Sequence, residues 1–568
     1  MSRQNKQRES RFVLRHLNVT IEGAPPAKVE RGAELGRIIA AYGPPDQKIL
    51  AAYIDNAVSE LTTRIETDCS IRLIGAISPE GLRIYERSLI FMLIKAVRDV
   101  FPDRKVLIRH SVRHDIFFEV IGERELLPEE VVSIERRMKY LAGSKIPFVR
   151  KEIPMEETEA LFGAKERTDL YNAISERRRP HVVFYEFDGM IDYSYGILAP
   201  DSGFLDDFSL LYRYPGATVT MPKSKVRRVL EEKHAMYMDV PKLLNVFAEY
   251  KKWGEILGIE NIGELNMAVR TGDAPHIIRV AEALQEKKIS QIADQIVCAS
   301  EQKKIILVSG PSSSGKTTFA NRLSIQLRVN GYLAKIISMD NYYLNKEDAP
   351  TDEAGNKNFE CPEALDVDLF QSHMKALASG QKANVPIYSF KKGRRDERVQ
   401  PLQIGKKAIL IVEGIHGLNP KMTASVPKEL KHRIYVSALT SLNIDNHNRI
   451  PTTDTRLIRR IVRDHLYRGA RAVETIGMWP SVRAGEEEYI FPYQESCDSM
   501  FNSGLIYELG ALKVIATQLL SEIGPDVAEY AEALRLLKFI SYFAHILTDD
   551  IPTNSILREF IGGSCFHA

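Results

Sequence analysis

The stretch Ile305–Ala320, IILVSGPSSSGKTTFA, decides the fold of the region around it. KKIILVS is an apolar, β-leaning run, and TTFANRLSIQLRV carries apolar residues at helical spacing. Between them, Gly310 to Thr317 fits GxxxxGK[ST], and strand–loop–helix is the context that this spacing requires. Glycines let backbone N–H groups turn inward around a phosphate, and the helix N-terminus adds a favourable dipole. The expected cradle is Gly310, Ser312, Ser313, Ser314, Gly315, Lys316, Thr317 and Thr318. Lys316 can bridge the β- and γ-phosphates of a nucleoside triphosphate, and the Thr317 hydroxyl can ligate Mg²⁺. The loop alone does not separate a kinase from an ATPase or a GTPase.

Around this loop, residues 302–510 alternate strands and helices, the pattern of an α/β parallel sheet covered on both faces. LAKIISMDNYYLN reads as a strand ending in Asp340-Asn341-Tyr342-Tyr343. Strand C-termini face the ligand crevice of a parallel sheet. A carboxylate there can accept a proton from an acceptor hydroxyl or help hold Mg²⁺; the plain alternative is a turn-forming Asp-Asn pair. In NVPIYSFKKGRRDER, Tyr388 and Phe390 can stack on a planar ligand or pack as alternate strand residues. KAILIVEGIHGLNP is another buried strand, and Glu413 at its end can orient Mg²⁺ through water. DTRLIRRIVRDHLYRG puts Arg456, Arg459, Arg460, Arg463 and Arg468 on one helix, several on a shared face. Such a face can close over phosphates, or it can be a solvated surface paired with its own Asp residues.

Together, GPSSSGKTT, SMDNYY, NFECPEALD, PIYSF, VEGIHGLN and DTRLIRRIVRD, in this order, resemble the uridine kinase and phosphoribulokinase family of P-loop kinases over about residues 302–510. The resemblance implies Asp340 as base for the acceptor hydroxyl. Catalysis would be shared by Lys316 and Arg463, with Thr317 and Glu413 at Mg²⁺. It places Tyr342, Glu360, Tyr388 and Phe390 at the acceptor, and Arg459, Arg460 and Arg463 in or near a lid. The implied donor is ATP and the implied acceptor a nucleoside, uridine or cytidine by default. Two departures touch the acceptor. Glu360 stands where the family usually carries Asp, and Gly393 stands at about the place of a His after the YxF element. A pentose or other sugar phosphate is therefore a rival acceptor.

The front of the chain carries RHSVRHDIFFEV, with His110 and His114 at i, i+4. On a helix that spacing puts two imidazoles on one face, half of a common zinc site. This stretch resembles the N-terminal region of threonyl-tRNA synthetase, where a ubiquitin-like TGS domain precedes an HSxxH domain. Residues 12–74 would be the first and 78–222 the second. DYSYGILAPDSG looks like the downstream element that supplies a cysteine and a second histidine in the synthetase. Ser194 and Leu198 stand at those places here, so neither a closed zinc site nor metal-dependent editing is expected. A reused scaffold is expected instead, leaving room for RNA contact by the N-terminal region.

The remaining organisation follows from composition. Residues 223–301 read as a helical connector and 511–568 as C-terminal helices, giving α+β TGS-like and synthetase-like domains ahead of a P-loop NTPase parallel sheet. Lys+Arg is 77 against Asp+Glu at 75 among 568 residues, a balance that argues against a global electrostatic nucleic-acid binder. Five scattered cysteines, none in a CxxC pair, imply neither a disulfide framework nor a cysteine zinc site. The polar start MSRQNKQRESRF and the lack of a long apolar run predict a soluble, cytoplasmic protein with no membrane partner. A regulator that binds RNA and uses the nucleotide site as a switch is the rival from another class, and a homo-oligomer is compatible with either.

Overall fold

The computed structural model describes residues 16–44, 48–112, 115–163, 167–221, 240–298, 304–352, 355–390, 392–405, 407–440 and 442–566. His114 lies outside them, as do residues 12–15, 222–239 and 299–301 of the segments delimited above.

The first sheet is mixed. Its strands run in the order Ala27–Glu30, His16–Ile21, Cys69–Gly75, Ile49–Ile54, Ala57–Ser59, with His16–Ile21 parallel to Cys69–Gly75. Leu17, Val19 and Ile21 point inward and alternate with exposed neighbours, the two-residue period of a half-buried strand. The helix Pro79–Val100 then starts where its sequence says it should. Ser78 accepts from the Gly81 amide at 3.1 Å, Pro79 opens the first turn and Glu80 sits at the positive end of the dipole.

RHSVRHDIFFEV does not place its histidine on a helix. Lys105–Val112 and Asp115–Ile121 pair as antiparallel strands, so the i, i+4 face does not form. The reason is the aromatic and β-branched run after it: Ile116, Phe118 and Val120 enter one core while Phe117 enters another.

The C-terminal half is built on a five-stranded, wholly parallel sheet. Its strands are β1 (Ile305–Ser309), β2 (Leu333–Ser338), β3 (Ala408–Glu413), β4 (Lys431–Ser437) and β5 (Ser499–Asn502), in the order β2-β3-β1-β4-β5. The central strands β1 and β3 are buried along their whole length, as a sheet covered on both faces demands. Helix α1 (Lys316–Val329) follows β1, while α2 (Thr452–Arg463) and α3 (Ala472–Tyr489) follow β4. The connector forms helices Pro241–Leu257, Ile262–Arg270 and Ala274–Cys298. The last packs on α1, where Arg322 pairs with Glu286 at 2.6 Å.

A single large core draws residues from the second front unit, the connector, the parallel sheet and the C-terminal segment. The run AEYAEALRLLKFISYFAHIL is helical only over Tyr530–Ile540. Beyond it, the Asn266 side chain bonds the Tyr542 carbonyl and the Ala544 amide, both at 2.7 Å, and so replaces the helical bonds that this backbone would otherwise need. A buried polar cluster also ties the front to the parallel-sheet half. Arg167 donates to Asp192 at 2.9 Å, Asp445 at 2.9 Å and Asp169 at 3.3 Å, and His447 Nδ1 meets Asp192 at 2.8 Å. Among the described residues no helix is long and apolar enough to cross a membrane.

Candidate active site

The loop between β1 and α1 has the shape its spacing requires. Gly315 takes φ +79°, and a Cβ on Gly310 would collide with the Val436 carbonyl of the neighbouring strand. Ser313 is also held at positive φ, 58°, which costs a residue with a Cβ and is kept where surrounding contacts impose it. The Ser313 and Ser314 hydroxyls are buried with no protein hydrogen-bond partner. Lys316 is 9% exposed and folds back to donate to the Pro311 carbonyl at 3.0 Å.

The C-terminal ends of β2 and β3 bring acid to this loop. Ser338 and Glu413 are paired across the two strands, and Asp340 follows two residues later, its amide donating to the Ser338 hydroxyl at 3.3 Å. Burial raises the Asp340 pKa, against the pull of Lys316, Arg468 and Arg463. Burial also lifts Glu413, with the Asp340 charge adding to it, to about 7. Burial lowers the Lys316 pKa, opposed by Glu413 and Asp340. Two carboxylates thus lie in the field of one ammonium whose hydrogen bond goes to the Pro311 carbonyl, a balance that favours an added cation. Their hard oxygens and the half-buried Thr317 hydroxyl suit Mg²⁺.

Helix α2 divides its arginines between two tasks. Arg456 and Arg459 are 1% and 0% exposed. Arg456 pairs with Glu486 and donates to the Ser312 carbonyl at 3.0 Å; Arg459 pairs with Glu508 and donates to the Ser503 carbonyl at 2.9 Å and the Ser313 carbonyl at 3.4 Å. Loop carbonyls face away from a phosphate that the loop amides face. Arg459, expected at the substrate, therefore braces the loop instead. Arg460 reaches the Ser312 hydroxyl at 2.9 Å, and Arg460, Arg463 and Arg468 converge on Asp464. The helix is buried rather than solvated, although Arg460, Arg463 and Arg468 do pair with its own Asp464; three guanidiniums around one carboxylate leave positive charge that acts on Asp340 through Arg463 and Arg468.

Of the aromatic residues expected at the acceptor, Tyr342 is fully buried. It packs edge-on against Phe370, with its hydroxyl 3.1 Å from His373 Nδ1, and belongs to the core. Tyr343 takes its place. Its ring lies 5.6 Å from Tyr388 and 6.2 Å from Phe390, and the Arg468 guanidinium sits 5.1 Å over Phe390. Glu360 is half-buried, and its desolvation raises its pKa, with Arg460 pulling the other way. Glu486 and Glu559, from outside every quoted motif, also reach the loop. They accept from the Ser312 amide at 3.2 Å and the Thr318 hydroxyl at 2.8 Å.

Residues 305–507 match the Phosphoribulokinase / Uridine kinase family. A uridine kinase of Halobacterium salinarum is 29% identical over 198 residues, 35% of this chain and 79% of that protein. The N-terminal region matches threonine–tRNA ligases. Those of Bacillus velezensis and Nitratidesulfovibrio vulgaris are 27% and 30% identical over 199 and 198 residues, 34% of this chain in both cases. The chain spans 31% of the length of these ligases. A D-glycerate 3-kinase of Cryptococcus neoformans aligns with 36% of this chain and 87% of its own at 16% identity and a TM-score of 0.27.

In the ligase-like region the described member of the histidine pair is packed among aromatic rings. His110 is stacked 3.9 Å from the Phe247 ring and 5.3 Å from Phe117, and burial pushes its pKa down to about 3. The Ser194 hydroxyl donates to the Gly196 carbonyl at 2.9 Å, and Leu198 is in the core. Among the described residues no group of three or more His, Cys, Asp or Glu side chains could hold a metal.

Proposed function

We propose that the chain is a kinase that transfers the γ-phosphoryl group of ATP to a hydroxyl of a nucleoside, with uridine and cytidine as first acceptors. The observation that carries this is Asp340, a half-buried carboxylate of raised pKa at the crevice end of β2, in the field of Lys316, Arg463 and Arg468. A raised pKa brings a carboxylate toward the range in which it can take a proton from a hydroxyl at neutral pH.

Each residue then has a task. The loop amides and the Ser313 and Ser314 hydroxyls bind phosphate oxygens. Lys316 leaves the Pro311 carbonyl to meet the β- and γ-phosphates. Thr317 and Glu413 would hold Mg²⁺, which neutralises charge on the phosphates when bound. Asp340 orients the acceptor hydroxyl and takes its proton. Arg460, Arg463 and Arg468 supply positive charge where the transferred group develops negative charge. Tyr343, Tyr388 and Phe390 offer ring faces to a planar base.

A second reading, a kinase of a pentose or sugar phosphate, is favoured by the arginine excess around Asp464 and by Gly393, which offers no side chain to a base edge. The front units (12–74 and 78–222), the connector (223–301), the kinase unit (302–510) and the tail (511–568) are proposed as the working divisions of the chain. Acceptor-dependent ADP release across a panel of nucleosides, pentoses and sugar phosphates tests the reading. Turnover confined to nucleosides supports the first acceptor class, and turnover confined to phosphorylated sugars supports the second. No turnover with any acceptor, with RNA binding that responds to ATP, would replace both with the RNA-binding switch.

A further inference from the structure

The end of the chain places an anion on the phosphate loop. Glu559 lies in the turn Arg558–Ile561, outside the 305–507 match. Its carboxylate accepts from the Thr318 amide at 3.2 Å and from the Thr318 hydroxyl at 2.8 Å. The first amides of a helix have no partner within it, and they sit at the positive end of the dipole. A phosphate oxygen and a carboxylate oxygen satisfy such an amide in the same way. The two cannot do so together.

The segment that carries Glu559 is built into the protein. Ile556, Leu557 and Phe560 are buried, and Arg558 donates to the carbonyls of Thr548 and Ile551 at 2.8 and 2.7 Å. Ile556 packs so closely on the loop that a Cβ on Gly315 would come within 2.5 Å of its methyl group. Phe560 lies 4.9 Å beneath the Arg459 guanidinium, on the arginine that braces the loop carbonyls. Glu559 itself is only half-buried. Its side chain can turn to solvent while its backbone stays in place.

We propose that Glu559 is an internal competitor of the nucleotide. Its carboxylate holds the Thr318 position of the cradle until a phosphate oxygen displaces it, and the chain thereby lowers its own affinity for nucleotide. The inference rests on the reading of the loop as an ATP site. When only a fraction of molecules is open to ligand, the apparent dissociation constant is the intrinsic one divided by that fraction.

The test is calorimetric titration of the full-length protein with Mg·ATP, for the wild type, Glu559→Ala, Glu559→Gln and Lys316→Ala. With Glu559 docked in nine molecules of ten, Glu559→Ala binds about tenfold more tightly, and Glu559→Gln, a weaker acceptor of similar shape, falls between. Thermal midpoints identify any variant that has lost its fold. Glu559→Gln keeps the size of the side chain and decides the matter should the alanine variant be unstable. Affinity equal to or weaker than wild type in a folded Glu559→Gln or Glu559→Ala protein overturns the proposal. If that result comes with binding that Lys316→Ala abolishes, only the role of Glu559 falls. Absence of ATP binding in every protein overturns the nucleotide reading and this inference with it.

Discussion

Replacing Arg167 with leucine tests how the front is joined to the parallel-sheet half. Arg167 is 7% exposed, and its three carboxylate partners Asp169, Asp192 and Asp445 are 9%, 1% and 0% exposed. Removing one partner of a buried ion pair costs about 3–5 kcal/mol, because the other charge stays buried and uncompensated. Asp192 keeps His447 and Arg98, so the heavier loss falls on Asp445, whose pKa burial already raises despite Arg167. The expected loss at pH 7 is therefore about 3–5 kcal/mol, at the scale of one broken pair and not of three. The sign of its pH dependence also follows. Burial alone would raise Asp192, but His447 and Arg167 together hold it below the usual carboxylate range. A carboxylate whose folded pKa is depressed stabilises above its unfolded pKa of about 3.9, and that contribution is lost as pH falls toward the folded value. The cost of Arg167→Leu is thus greatest at neutral pH; the Asp445 share goes first as pH falls, above the usual carboxylate range because its folded pKa is already raised, and the Asp192 share follows below about pH 4. Urea denaturation followed by the fluorescence of Trp253 and Trp479 measures it. A loss under about 1 kcal/mol at pH 7 would refute the argument that this cluster is a buried, mutually dependent set of charges.

Gly315→Ala is expected to weaken ATP binding and lower the thermal midpoint together, since φ is +79° and the new methyl meets Ile556 at 2.5 Å; a titration and a melting curve check both. Glu413 with its pKa at about 7 makes Mg·ATP affinity rise with pH. The cation needs the ionised carboxylate, so binding tightens about tenfold from pH 6 to 8 and levels off above, with proton release on the acid side; a flat profile contradicts the placement of Glu413. Tyr388→Ala is expected to raise the acceptor KM, whereas Tyr342→Phe, which loses one hydroxyl contact in the core, costs about 1 kcal/mol of stability and leaves KM unchanged. Steady-state kinetics of the two proteins separates the roles.

The strand–loop–helix unit was legible because its information is local. Strand, glycine-containing turn and amphipathic helix lie within 25 residues, and the loop conformation follows from Gly310 and Gly315. Asp340 and Glu413 were legible for the same reason, as acids at the ends of apolar runs. What sequence spacing could not give was the direction of side chains on a buried helix. Arg456 and Arg459 differ from Arg460 only in phase, and the positions of Glu486 and Glu508 decide which of them brace the loop. Tyr342 and Tyr343 are adjacent in sequence, yet Tyr342 is fully buried in the core while the half-buried Tyr343 packs at its edge among Tyr388 and Phe390. The pairing of Glu486 with Ser312 spans 174 residues and that of Glu559 with Thr318 spans 241, and neither leaves a periodic or motif signal. The histidine spacing carried meaning only on a helix, and the aromatic and β-branched run Ile116–Val120, buried on both faces, makes this stretch a strand.

The central claim is that Asp340 acts on the acceptor and the loop on the nucleotide, and Asp340→Asn separates them. Acceptor-dependent ADP release and ATP affinity are measured on the same folded protein. The account predicts that turnover falls by about 10²–10⁴-fold, the usual worth of a positioned general base, while ATP affinity stays within about threefold of wild type. Turnover that survives the substitution within a few-fold would contradict it.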